Sequence, residues 1–394
     1  MAGKRLAVFI DGTWRNVEAN TNVWRLRSLV AERGGGKEQR VYYHAGVGTA
    51  PGERFWGGAF GYGVSGQIIS AYRWLIEHYD TDDEIFIFGF SRGAYLARSL
   101  AGLIATCGLL RPGAPLSVEQ VFDRYSLNDE ARPIWKLEYE RERGGELTRA
   151  EQRLLDYSCR VQIKMLGVWD TVGSLGIPFG NLTKVSRRKL TFHNTHLSQI
   201  YSDAYQALAV DEHRPDFAPT LWTRFIPTRP DPEPALVPSL GDVEQRWFVG
   251  CHSNVGGGYR DDDLSQRPLA WLKDKAEALG LAFRFPVPLN GTEHLGPIVD
   301  AYSDFLRGYY RVLKFGRRFR RVIGAAPREV PGGLSETVNE TIDGSVFDRW
   351  RTDPSYRPWG VEEWAARRQI DPADITGTVE AATLRPVPPS SLGL

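Results

Sequence analysis

The apolar residues of this chain fall into short runs rather than long ones, and two periodicities alternate along it. "RLAVFI" (5–10), "RVYYHAGVG" (40–48), "IFIFGF" (85–90), "VQIKMLGVWD" (161–170) and "QRWFVGCHS" (245–253) are brief, mostly apolar and bounded by charged or turn-forming residues. Such runs read as strands buried on both faces. Between the first three, "TNVWRLRSLVAERGGG" (21–36) and "QIISAYRWLIEHYD" (67–80) carry apolar residues at helical spacing, and "AYLARSLAGLI" (94–104) does so after the third. The order strand–helix–strand–helix–strand–helix predicts a mostly parallel central sheet with helices on both faces. Residues 111–158 are polar and helical in character, and "PTRPDPEPALVPSLGD" (227–242) is rich in proline. Both are expected as inserted lid segments above the strands, where loops carry specificity. "HLSQIYSDAYQALAVDEHR" (196–214) reads as helical. The expected organisation is one domain over 1–330, with insertions at about 111–158 and 180–242. A peripheral extension, 331–394, would pack on it.

The chemistry centres on "DEIFIFGFSRGAYLARSLAGLI" (83–104), where Ser91 stands between two glycines at a strand-to-helix junction. The plain reading is a helix cap, because a serine hydroxyl can satisfy an orphan backbone N–H. "GFSRG" also fits G-x-S-x-G, the strained turn that lifts a nucleophilic serine above the sheet of an α/β-hydrolase. Both flanking elements that this turn requires are present here, so the nucleophile is the preferred reading.

A serine hydroxyl needs a base, and the base needs an orienting carboxylate; in this fold they follow in the order Ser, Asp/Glu, His, each after a strand. Asp170 ends "KMLGVW" and His252 follows "RWFVG", so 91, 170, 252 has that order. Asp203, Asp211 and Asp242 compete for the acid, but none closes a strong strand. His44 lies upstream of the serine, His193 and His196 follow a basic turn, His78 and His213 border helical segments, and His294 sits in a glycine-flanked loop. An oxyanion hole takes two backbone N–H donors. Arg92, after the nucleophile, is the first candidate, and Gly12 in "DGTW" (11–14) the second.

Composition narrows the rest. A net charge of +1, with 42% hydrophobic and 25% charged residues, describes a globular chain with no field that would select nucleic acid. The three cysteines, Cys107, Cys159 and Cys251, show no C-x-x-C spacing and suggest no disulfide framework. The first apolar run stops at Asp11 after five residues, so it reads as a strand rather than a signal peptide. No apolar run approaches the ~18 residues of a membrane span. The expectation is a cytoplasmic protein, or one exported by a signal-independent secretion system. The chemistry calls for no metal or cofactor; "YRDDD" (259–263) could offer oxygens to Ca²⁺ but reads better as a solvated helix start.

With these residues in place, the chain resembles the α/β-hydrolase domain shared with type VI secretion phospholipase effectors. The matching pieces are "VFIDGTW", "YYHAGVGT", "GGAFGYG", "IFIFGFSRGAYLARSLAGLI", "GVWDTVGSLGIP", "AYQALAVDEHRPDFAPTLW" and "WFVGCHSNVGGGY", within about 5–275. Arg15 departs from the family, which often has asparagine there. The resemblance implies an α/β-hydrolase-like fold and a triad of Ser91, Asp170 and His252. It also implies a lipid ester substrate, with a secretion-system or immunity protein as partner. Acyl transfer by the same triad and a non-catalytic role in a toxin or defence complex are the alternatives. "FLRGYYRVLKFGRRFRRVIG" (305–324) mixes seven basic residues (Arg307, Arg311, Lys314, Arg317, Arg318, Arg320, Arg321) with aromatics and no acid. It would suit contact with an anionic membrane; the competing reading pairs its arginines with acids of the main domain.

Overall fold

The five runs read as strands all lie in one sheet. The computed structural model describes residues 3–12, 20–46, 59–127, 130–173, 200–228, 242–304 and 321–382, with only the backbone of 59–64. Nine strands form the sheet: β1 (Arg5–Ile10), β2 (Arg33–Gly34), β3 (Lys37–His44), β4 (Glu84–Phe90), β5 (Ile163–Trp169), β6 (Tyr201–Ala209), β7 (Val243–Phe248), β8 (Glu340–Ile342) and β9 (Val379–Ala382). Their spatial order is β9-β8-β7-β6-β5-β4-β1-β3-β2. Every pairing from β3 across to β8 is parallel, and only β2 and β9 run antiparallel to their neighbours.

Alternation along the central strands sets the layers. In β1, Leu6, Val8 and Ile10 enter one apolar cluster while Ala7 and Phe9 enter another; in β4, Ile85 and Ile87 oppose Phe86, Phe88 and Phe90 in the same way. Helices α2 (Ala59–His78) and α3 (Arg92–Cys107) cover the first face. Helix α1 (Asn22–Leu29) and helix α4 (Asp263–Ala278) cover the second. The protein is thus an α/β fold with a mostly parallel sheet and helices on both faces.

Two expectations change. Residues 201–209 form β6, an interior strand, not a helix. Its polar Gln206 broke the expected strand pattern, yet it is buried and bonded, accepting from Thr171 Oγ1 at 2.5 Å and donating to Gln245 Oε1 at 3.1 Å. Residues beyond 330, expected as peripheral, supply β8 and β9 to the sheet itself. Helices α5 (Gly344–Thr352) and α6 (Trp359–Arg368) then bury Phe347, Trp350 and Trp364 in one cluster with Trp247 of β7. Strands of three and four residues are too short to show a period of two.

The insertion at 111–158 forms helices Val118–Tyr125, Ile134–Glu142 and Arg149–Tyr157. They pack Val121, Phe122, Ile134 and Leu137 into the cluster of α2 and α3. Val121 O accepts from Cys107 Sγ, at the end of α3 remote from Ser91, so this insertion buttresses a sheet face. Most of the proline-rich segment, 229–241, lies outside the described residues, as does 305–320.

The serine turn depends on close backbone approach. A Cβ on Gly93 would stand 2.1 Å from Ile10 O and 2.6 Å from Asp11 O, because α3 starts directly over the end of β1. Gly93→Ala must push α3 off that strand, and over-packing of this kind costs ~1–3 kcal/mol. Urea unfolding is expected to show a lowered midpoint with an unchanged slope.

Candidate active site

Ser91 follows β4 and precedes α3 with φ 60° and ψ −121°, a conformation that L-residues rarely adopt. Its N–H donates to Trp169 O at 3.0 Å, which ties the turn to the end of β5. The side chain makes no capping bond to α3; instead Oγ lies 2.8 Å from His252 Nε2. His252 opens the helical turn His252–Gly256 after β7, and its Nδ1 lies 2.6 Å from Asp170 Oδ2. Asp170 closes β5, also at positive φ (35°), with its N–H donating to Ala207 O of β6 at 2.7 Å. The three side chains predicted to work together therefore meet at the carboxyl ends of β4, β5 and β7, where sheets of this type gather their sites.

Each environment has a cause. Ser91 keeps 8% of its surface exposed, while Asp170 has none. Burial pushes the Asp170 carboxyl up, but the Arg321 guanidinium and the bond to His252 outweigh it and hold the group at about 2. Oδ1 accepts from Arg321 Nη1 at 2.8 Å and from Ala209 N–H at 3.2 Å; Oδ2 accepts from Arg321 Nη2 at 3.2 Å. Burial lowers the His252 imidazole below its ordinary value, against the opposing pull of Asp170. The ring lies between Phe90 and Phe217, with centroids at 4.7 and 5.0 Å. A Cβ on Gly256 would fall 2.0 Å from the Phe90 ring, so the glycines after His252 let its loop close onto the residue beside the serine.

Four of the rivals are engaged elsewhere. Asp203 accepts from Tyr205 Oη, and Asp211 from Gly250 N–H and Tyr356 Oη. His44 Nδ1 accepts from Gly46 N–H on the far side of β1, and His78 stacks on Trp74. His193 and His196 lie outside the described residues. Gly12 does abut the serine, since its Cβ would be 3.3 Å from Ser91 Cβ. Its N–H, however, donates to Asp11 Oδ1 at 2.7 Å, and Asp11 Oδ2 is held by Thr21 Oγ1 and Tyr43 Oη. Gly12 thus makes room beside the serine while its N–H is turned to Asp11. Arg92 opens α3, where N–H groups have no acceptor within the helix. In "YRDDD", Asp262 accepts from Gly258 N–H in the preceding loop, and α4 starts at Asp263 without a side-chain cap from Asp262. Among the described residues no group of three or more His, Cys, Asp or Glu could hold a metal ion.

Two charged supports escaped the sequence. Glu212 Oε2 accepts the His252 backbone N–H at 3.2 Å and pairs with Arg214, whose Nε and Nη2 each donate at 2.9 Å. Arg214 also lies over the Phe217 ring, 3.5 Å from its centroid. Arg321, one of the seven basic residues weighed above for membrane contact or for pairing with acids of the main domain, is buried against Asp170 and donates to Phe217 O at 2.6 Å. In sequence it was one basic residue among seven. "DEHRPDF" held the other signal: an acid and a base two apart, ahead of an aromatic. Glu212→Gln would leave Arg214 buried without a counter-charge, a loss on the order of 3 kcal/mol. Glu212→Leu with Arg214→Met is expected to cost less than the two single changes summed, which chemical denaturation of all four proteins would measure.

The family model described as "T6SS, Phospholipase effector Tle1-like, catalytic domain" matches residues 4–275, a stretch that contains Ser91, Asp170 and His252 but not Arg321. The chain is 28% identical over 242 residues to Uncharacterized protein YEL023C of Saccharomyces cerevisiae, covering 56% of this chain and 33% of that protein. It thus spans about a third of that relative's length. Among solved structures, an uncharacterized protein from Pseudomonas aeruginosa is similar at TM-score 0.43 and 16% identity, over 71% of this chain and 46% of that one. The Tle1 effector bound to the VgrG spike of the type 6 secretion system is similar at TM-score 0.34 and 18% identity, over 66% and 52%. On the family match, which covers more than half of its residues, the chain belongs to the Tle1-like phospholipase effector catalytic domains of the type VI secretion system.

Proposed function

We propose that this chain is a serine hydrolase of lipid carboxylic esters, with Ser91 as nucleophile, His252 as base and Asp170 as its orienting carboxylate. The observation that carries the reading is the continuous hydrogen-bonded line from Ser91 Oγ through His252 to Asp170, 2.8 and 2.6 Å long, rising from a strained serine turn. The lipid substrate is taken from the family.

Attack by Oγ on the ester carbonyl transfers the serine proton to Nε2, and the imidazolium then donates it to the leaving alkoxide oxygen. The product of this half is an acyl-enzyme. Water, deprotonated by the same nitrogen, releases the acid and returns the proton to Ser91. Asp170 accepts from Nδ1–H throughout, which keeps Nε2 the basic nitrogen. The Arg92 N–H and the positive end of α3 face the oxyanion as charge develops on it.

Ser91→Ala is expected to lower kcat on a soluble short-chain ester on the order of 10⁶-fold and to abolish labelling by a fluorophosphonate. His252→Ala should match it. Asp170→Asn should retain more activity, losing roughly 10⁴-fold through the wrong tautomer. A folded Ser91→Ala protein with wild-type turnover refutes the assignment.

The pH profile gives an independent check. His252 works as a base only when neutral, and burial holds it below the ordinary histidine value of 6.5. Activity should therefore persist below that pH and fall as pH drops through the lowered value. An acid limb of kcat/KM centred above 6.5 would contradict the environment described for this ring.

A further inference from the structure

A carboxylate sealed from water needs a counter-charge, or it takes up a proton. For Asp170 that charge is Arg321, whose side chain is 1% exposed and whose two terminal nitrogens span both carboxylate oxygens. Such a fork fixes a plane, which a single contact cannot do. The plane matters, because Oδ2 must also meet His252 Nδ1.

The arginine is itself held from outside. Two residues on, Ile323 is buried among Trp247, Phe347 and Trp364. Arg367 of α6 donates to Ile323 O at 2.6 Å and to Gly324 O at 2.8 Å. Glu340 of β8 accepts from Gly324 N–H at 3.1 Å and from Trp247 Nε1 of β7 at 2.9 Å. The segment that delivers Arg321 is thus clamped between the strand leading to His252 and the C-terminal helices.

We propose that Arg321 is a positioning residue of the active site, fixing the Asp170 carboxylate toward His252 and setting the pH at which that pair takes up its proton. It lies beyond residue 275, where the family match ends, so the C-terminal region completes a site whose reacting residues all precede it. The inference rests on the reading of Ser91, His252 and Asp170 as the triad. The charged and titratable groups packed about the pair are Arg321, Glu212 and Arg214, with Cys251 and Tyr259 next to the His252 turn. Of these, only Arg321 bonds to the carboxylate. Its removal leaves a negative charge facing the imidazole, so the pair should protonate at higher pH.

The test compares Arg321→Gln and Arg321→Lys with wild type in the full chain, on a soluble short-chain ester across pH, with thermal unfolding measured alongside. Arg321→Gln is expected to lower kcat about 100-fold with little change in KM. Its acid limb should move up by about one pH unit or more. Arg321→Lys keeps the charge but not the fork, so its acid limb should stay in place while kcat falls about tenfold. Lost stability with unmoved kcat and acid limb would make the residue merely structural and overturn the proposal. If Arg321→Gln does not fold, Arg321→Lys decides alone: wild-type kcat overturns the positioning role. Ser91→Ala separates the two levels. An active Ser91→Ala protein removes the triad reading itself; an inactive one, with both Arg321 variants like wild type, removes only the role of Arg321.

Discussion

A fully buried carboxylate at the end of a central strand is the constraint around which this molecule is arranged. Asp170 meets no water, so its charge must be matched by protein groups, and four donors converge on it: Arg321 twice, Ala209 N–H and His252. The compensation continues one layer out. Glu212 and Arg214 form a second buried pair that touches the histidine backbone and, through Phe217, the arginine. Two acids and two bases thus surround one imidazole, and removing one of them leaves its partner's charge without balance.

Strain is gathered at the same place. Ser91 and Asp170 both take positive φ, at a cost of about 1–3 kcal/mol each. The sheet holds them there: Ser91 N–H bonds to the last residue of β5, and Asp170 N–H bonds to β6. Parallel register between β4, β5 and β6 therefore sets the geometry of the serine and the aspartate. The histidine arrives from β7 on a loop that closes against Phe90, next to the serine. The C-terminal strands join the same frame. They extend the sheet beyond β7 and anchor the chain that carries Arg321.

The chain by itself determined five strands of the sheet and the three residues that meet. A parallel sheet needs strands buried on both faces, and five such runs were legible because their apolar residues are contiguous. The "GFSRG" turn was legible because close approach demands glycine there, and Asp170 and His252 because each stands just past a strong strand. Only the tertiary structure decided the rest. β6 was hidden by Gln206, whose polarity is satisfied by Gln245 of β7 and by Thr171 just past β5 rather than by solvent. β8 and β9 are too short to carry a pattern. Arg321 looked like its six basic neighbours, since what sets it apart is a contact with a residue 151 positions away. The bond from Gly12 N–H to Asp11 likewise appears only in the fold. Local pattern encodes burial and turns; the charge compensation of Asp170 is a pairing between distant segments, which a sequence does not display until the chain has folded.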